Sequence, residues 1–180
     1  PSMRYRLLIL PLLLLVLASC SVFRVDPNDA LAVDEDVEVT RDEFKNLMSY
    51  KGPVVTNKAD DDTSNPEIED VYLRSQKENG KPMRFFIVIS DYYDGDWRGF
   101  DQAYDRSGRK FHALSIRHKV NCKLICGYEE VLEIELDRNY LESHQQTGMT
   151  FKLYGPAGQS SAPFELPGPY IEGFLKGAYE

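Results

Sequence analysis

The chain has 180 residues, 42% of them hydrophobic and 28% charged, with 21 Lys and Arg against 29 Asp and Glu, a formal charge of −8. That balance of apolar and charged residues excludes general disorder. The acidic excess excludes a binder of nucleic-acid phosphates, which needs surplus cations to displace counterions. Three cysteines are too few for a scaffold built on disulfides.

In chain order, the first feature is an address. Met3 is followed by Arg4, Tyr5 and Arg6, then an apolar run from Leu7 to Leu17, then Ala18, Ser19 and Cys20. A positive start, a short apolar stretch and small residues at its end form a secretory signal over 1–19. The run is shorter than the ~20 apolar residues a bilayer span requires. Leu17-Ala18-Ser19-Cys20 resembles the bacterial lipobox, in which the cysteine is lipidated and the chain is cut before it. Removing 1–19 takes away Arg4 and Arg6 and leaves 19 basic against 29 acidic residues, a charge of −10. Acyl chains on Cys20 contribute about 0.8 kcal/mol per buried CH₂, enough for stable anchoring. Ser21, in place of the Asp that the sorting pattern associates with inner-membrane retention, implies the outer membrane, with the domain facing the periplasm.

Residues 20–36, with Asp26-Pro27-Asn28-Asp29 and Asp34-Glu35-Asp36, read as the lipidated cysteine and a flexible tether. Sixteen coil residues span roughly 22 Å root-mean-square. A single domain is expected over 37–180, with a polar loop at Lys58–Pro66. Phe44–Tyr50 is ambiguous between helix and strand, because Lys51-Gly52-Pro53 ends it early. Val71–Arg74 and Phe85–Ile89 are β-type runs joined through Asn79-Gly80, a strong hairpin signal. Tyr104–Arg109 joins a second pair, continuing into Phe111–Ile116. Val131–Leu136 alternates Leu132, Ile134 and Leu136 against Glu133 and Glu135, so one face is apolar and the other acidic. A short helix is expected from Asp137 to Gln146, with Asp137 able to cap it and Gly148 to stop it. Met149–Tyr154 and Ala162–Leu166 supply further strands, and Pro169–Leu175 a C-terminal helical turn. Turn signals every ten residues or so, with one connecting helix, predict a mainly β protein: an antiparallel β-sandwich.

Asp91-Tyr92-Tyr93-Asp94-Gly95-Asp96-Trp97-Arg98 followed by Asp101-Gln102-Ala103-Tyr104-Asp105 resembles a family of uncharacterised proteobacterial outer-membrane lipoproteins. Further matching places are Tyr50–Pro53, Tyr72–Arg74, Tyr140–Glu142 before Gly148, and Pro167–Leu175. The paired cysteines Cys122 and Cys126 match as well, though their spacing is shorter than the cysteine loop of that pattern. The resemblance spans roughly 40–176 and implies a secreted β-sandwich domain. It implies no reaction, so it assigns no catalytic residue and no cofactor.

Several groups are candidates for chemistry. With Cys20 lipidated in an oxidising compartment, Cys122 and Cys126 are expected to pair; a redox dithiol or a metal site are the alternatives. Asp91, Asp94, Asp96, Asp101 and Asp105 crowd one stretch, and Asp91, Asp94 and Asp96 are weak calcium candidates. The spacing lacks the EF-hand order, and Asp94-Gly95-Asp96 is equally good turn chemistry. Tyr92, Tyr93, Trp97 and Arg98 are candidates for a contact surface, or else pack in the core. His112 and His118 fall on one face of a continuous strand, about 20 Å apart, too far to share a metal. His144 has no partner in sequence. No nucleophile elbow, zinc-protease motif or phosphate loop occurs.

The leading expectation is therefore a non-enzymatic binding or assembly module of the Gram-negative envelope. Its membrane contact runs through the N-terminal lipid, and its charge favours a basic protein partner. An acidic inhibitor or immunity protein against a basic hydrolase such as a lysozyme is the second reading. A carboxylate-based hydrolase of wall glycans is the third.

Overall fold

The computed structural model describes residues 24–56, 68–94, 96–122 and 126–179; the signal segment, Cys20 and the Lys58–Pro66 loop lie outside these. In chain order the elements are α1 (Ala30–Glu35), β1 (Glu38–Asp42), β2 (Leu47–Lys51), β3 (Val55–Thr56), β4 (Ile68–Glu78) and β5 (Arg84–Asp94). There follow β6 (Gln102–Asp105), β7 (Lys110–Cys122), β8 (Cys126–Leu136), α2 (Arg138–Ser143), β9 (Met149–Tyr154), β10 (Phe164–Leu166) and α3 (Gly168–Gly177).

The mainly β, antiparallel class is as expected. The strands run in one hydrogen-bonded path, β1-β2-β4-β5-β8-β7-β6-β9-β10, with β3 beside β4. This path carries the mainly β, antiparallel class and does not by itself establish a two-sheet sandwich. β7 makes the turn: its start pairs with β6 and the remainder with β8. The path curls enough for β10 to lie against β4.

The alternating pattern that predicts the strands fills the inside of the curl. Leu73, Ile87, Ile89, Leu132 and Ile134 are all fully buried on one face, with Phe151 and Leu153 of β9 closing the core. The chain turns at Asn79-Gly80 as expected, but only Gly80 takes a positive φ, 76°, and residues 79–83 join β4 to β5 rather than a two-residue turn. Phe44–Tyr50 resolves as a turn leading into β2, with Asn46 at φ 49°.

α3 is a full ten-residue helix rather than a single turn. Tyr170, Ile171 and Phe174 enter the core, and the Tyr170 hydroxyl donates to the Pro53 carbonyl at 2.6 Å. Packing outweighs the weak helix propensity of its glycines. Gly173 is required by approach: a Cβ there would sit 2.2 Å from the Ala30 carbonyl oxygen of α1.

The flexible stretch expected over 20–36 does not reach residue 36. Asp29 caps α1 by accepting from the amides of Leu31 and Ala32, and Val33 is fully buried against the core. Residues 30–36 therefore belong to the domain. The capping aspartate offsets the lost amide hydrogen bonds, and one buried valine gives the short helix its hold.

Candidate functional site

Two polar groupings lie on the β4-β5-β8-β7 region, one on each face. On the inner face, beyond the core, Asp91 and Tyr93 of β5 stand directly opposite Glu130 and Tyr128 of β8. Asp91 and Glu130 are buried carboxylates. Residues 97–99 cross this end of the sheet and supply a partner to one oxygen of each carboxylate, Glu130 Oε2 having no hydrogen bond among the described residues. Arg98 Nη1 lies 3.0 Å from Asp91 Oδ2, and the Gly99 amide donates to Glu130 Oε1 at 3.1 Å. The Arg98 amide donates to the Tyr93 hydroxyl at 3.0 Å, and its guanidinium lies 3.8 Å from the Tyr93 ring centroid. Burial pushes the Tyr93 phenol up to about 12, with the charges of Glu130 and Asp91 adding to it. Trp97 then stacks edge-on against Tyr128 and His118, at 4.7 and 5.3 Å. The arrangement is a clamp: a buried charge pair is stable only when well paired and hydrogen-bonded, and here that requirement fixes the 97–99 segment.

On the outer face, Arg74 of β4, Arg84 and Phe86 of β5, Glu133 and Glu135 of β8, and His112 and Leu114 of β7 line a groove of about 390 Å³. Arg74 pairs with Glu133. Arg84 is bidentate to Glu135, at 2.8 and 2.6 Å. Both guanidinium groups lie over the Phe86 ring, 5.1 and 4.9 Å from its centroid. The Arg84 hydrogen bonds hold the Glu135 carboxyl below its ordinary range. Phe86, Val88 and Val131 are buried on this face although outside the main core. The groove offers ion pairs set on an apolar floor, with Leu114 exposed at its edge.

The proposed contact residues do not form one surface. Tyr92 is half exposed on the outer face; Tyr93 is buried on the inner face, one residue on and so on the opposite side of the pleat. Trp97 is 40% exposed, and Arg98 is engaged with Asp91. Tyr93 and Arg98 are thus parts of the clamp, leaving Trp97 and Tyr92 as separate exposed aromatics.

The calcium reading loses its first ligand, because Asp91 is fully buried and paired with Arg98. Asp96 is exposed, and the Asp94 side chain is outside the described part. Among the described residues, no group of three or more His, Cys, Asp or Glu could hold a metal ion.

Cys122 is disulfide-bonded, and Cys126 is its register partner across the β7–β8 ladder. The Cys126 side chain is outside the described part. The histidine reading needs correction. The β7–β8 register shifts between Ser115 and Arg117, leaving Ile116 as an extra residue. This bulge reverses the parity of the strand, so His118 lies on the inner face, opposite Glu130, while His112 stays on the outer. His118 Nε2 lies 2.8 Å from Ser115 Oγ, and His112 Nδ1 donates to the Asp101 carbonyl at 3.1 Å.

The clamp and groove were missed as units in the sequence. Arg98 and Asp91 were each singled out, but their pairing depends on the path of 97–99. Glu133 and Glu135 were visible as an outward acidic pair; their arginine partners come from other strands.

No protein-family model, no curated protein and no solved structure matches the chain.

Proposed function

We propose that the chain is a non-enzymatic binding module of the bacterial envelope, tethered to the outer membrane through lipid on Cys20. The observation that carries the binding reading is the β7 side of the sheet. There an ion-paired groove over Phe86 adjoins exposed Leu114 and Ile116, 54% and 45% accessible. A soluble domain gains nothing from leaving branched apolar side chains on a sheet beside arginines, whereas binding surfaces combine these residue types.

The tether supports the same reading. From Cys20 to the cap at Asp29 there are nine residues, at most about 30 Å when fully extended. The seating of α1 on α3 keeps this lead-in short, so lipid on Cys20 would hold the domain close to the membrane.

Crosslinking in whole cells, followed by identification of the adduct, tests the binding reading: a reproducible envelope-protein adduct is expected, and its absence at every groove position contradicts it. Cys20→Ser tests the anchor. The variant should leave the membrane fraction, and unchanged membrane retention would overturn the lipid tether.

A further inference from the structure

We infer that β7 is a docking edge that accepts one extended, acidic strand from a partner protein. The inference rests on the binding-module reading and adds the mode of binding and the chemistry of the partner.

The first observation is an open edge. β7 pairs with β6 only over Lys110–His112, and with β8 from Ala113 to Cys122. Among the described residues, backbone hydrogen bonds from Leu114–Cys122 go to β8 alone. Residues 116–120 are all exposed. Beyond the bulge at Ile116 the regular edge runs from Arg117 to Cys122, six residues at about 3.3 Å, roughly 20 Å.

The direction of its amides follows from the register. Ala113 donates its N–H to the Asp101 carbonyl at 2.9 Å, on the β6 side, so its backbone faces away from β8. Antiparallel pairs alternate between bonded and non-bonded, so Ser115 also faces away, and its partner Leu132 faces β5. β8 pairs with β5 without a shift from Gly127 to Leu136, so Glu130 and Tyr128 also face β5. Their partners on β7, His118 and Val120, therefore turn their N–H and C=O groups to the open edge.

The second observation is charge. From Arg109 to Cys122 the chain has Arg109, Lys110, Arg117 and Lys119 and no carboxylate, in a protein of net charge −8. Its neighbour β8 has Glu129, Glu130, Glu133 and Glu135 and no cation. Arg117 pairs with Glu129, but Lys119 has no ion-pair partner among the described residues. Net charge governs approach at long range, where it favours a basic partner. At contact distance the adjacent strand decides, since like charges side by side are destabilising.

Charge also selects among occupants. Pairing β7 with a second copy's β7 sets cations against cations in the registers centred on Arg117, His118 and Lys119. An acidic strand meets Arg117 and Lys119 on the outer face and sets its alternate side chains against Val120 and Trp97 on the inner. Strand addition uses main-chain bonds for affinity and alternate side chains for specificity. The fitting sequence is thus carboxylate–apolar–carboxylate–apolar.

The test uses a fluorescent nine-residue peptide alternating Glu and Val, and a matched Lys/Val peptide, in anisotropy titrations against the folded domain. The Glu/Val peptide should bind at least tenfold more tightly, and more weakly as salt is raised. Val120→Pro removes an outward N–H without touching the β8 ladder and should weaken binding at least tenfold. Lys119→Glu should do the same, and serves if Val120→Pro does not fold. Equal affinity for the two peptides, no binding of either, or full binding to Val120→Pro overturns the inference. So does a dimer in sedimentation that Val120→Pro abolishes, which would make a second copy the occupant. If whole-cell crosslinking still captures a partner with Val120→Pro, the edge is refuted while the binding-module reading stands.

Discussion

Arg98→Met is the most informative single change in the fold. The methionine keeps most of the side-chain volume and removes the guanidinium that pairs with Asp91 at 3.0 Å. Asp91 is fully buried, so it cannot exchange its lost partner for water. Breaking such a pair from one side costs about 3–5 kcal/mol. The Arg98 side chain retains 15% exposure, which places the expectation near the lower figure, about 3 kcal/mol. In a domain of about 150 residues that lowers Tm by roughly 6–12 °C. Asp91→Asn should cost less, because the partly exposed Arg98 can turn toward solvent. The double variant should recover much of the loss. Urea unfolding of the four proteins gives the coupling free energy directly. A cost below about 1 kcal/mol for Arg98→Met, or no coupling, would show that the clamp does not hold residues 97–99.

Four further outcomes follow from the same structure. Gly173→Ala drives a Cβ to 2.2 Å from the Ala30 carbonyl, so it should cost about 1–3 kcal/mol and expose the α1 amides to hydrogen exchange. Unchanged protection there would show that α1 is not docked. Arg84→Gln should raise the Glu135 titration seen by NMR, since the Arg84 hydrogen bonds hold it down. Because the folded value is depressed, the pair's contribution is present above the ordinary glutamate range and is lost as pH falls through the folded value. Burial alone would push Asp105 up, but hydrogen bonds from Ser107, Arg109 and Tyr140 outweigh it and hold the carboxyl low. Tyr140→Phe removes the 2.9 Å bond to Asp105 and should raise that titration, whereas an unmoved titration contradicts the assigned contact. If Cys122 pairs with Cys126, reduction should cost no more than about 2 kcal/mol, because so short a loop gives up little chain entropy. Complete unfolding on reduction would contradict a local role.

Much of the sheet was legible because its signals are local. Asn79-Gly80 dictates a turn, and Leu132, Ile134 and Leu136 declare a face without reference to the remaining chain. What escaped depends on non-local partners. α1 has a cap at Asp29 but one buried residue, Val33, too little periodicity to stand out from a tether. The bulge at Ile116 has no composition cue; no Gly or Pro marks it, and only the pairing with β8 reveals it. It changes the reading of His118, and with it the face on which Val120 lies. Asp137 was expected to cap α2 through its side chain; its carboxylate instead meets Arg109 at 2.8 Å. The open edge of β7 could not be read from sequence, since it is defined by how short β6 is.

The central claim is that the β7 side of the sheet is where a partner binds. The most direct measurement places a photo-crosslinking residue at Val120, at Leu114 and, as a control on the far side of the sheet, at Val39 of β1, in the full chain in living cells. Adducts to the same protein from Val120 and Leu114, and none from Val39, are the predicted result. Adducts from Val39 alone, or equally from all three, would contradict it.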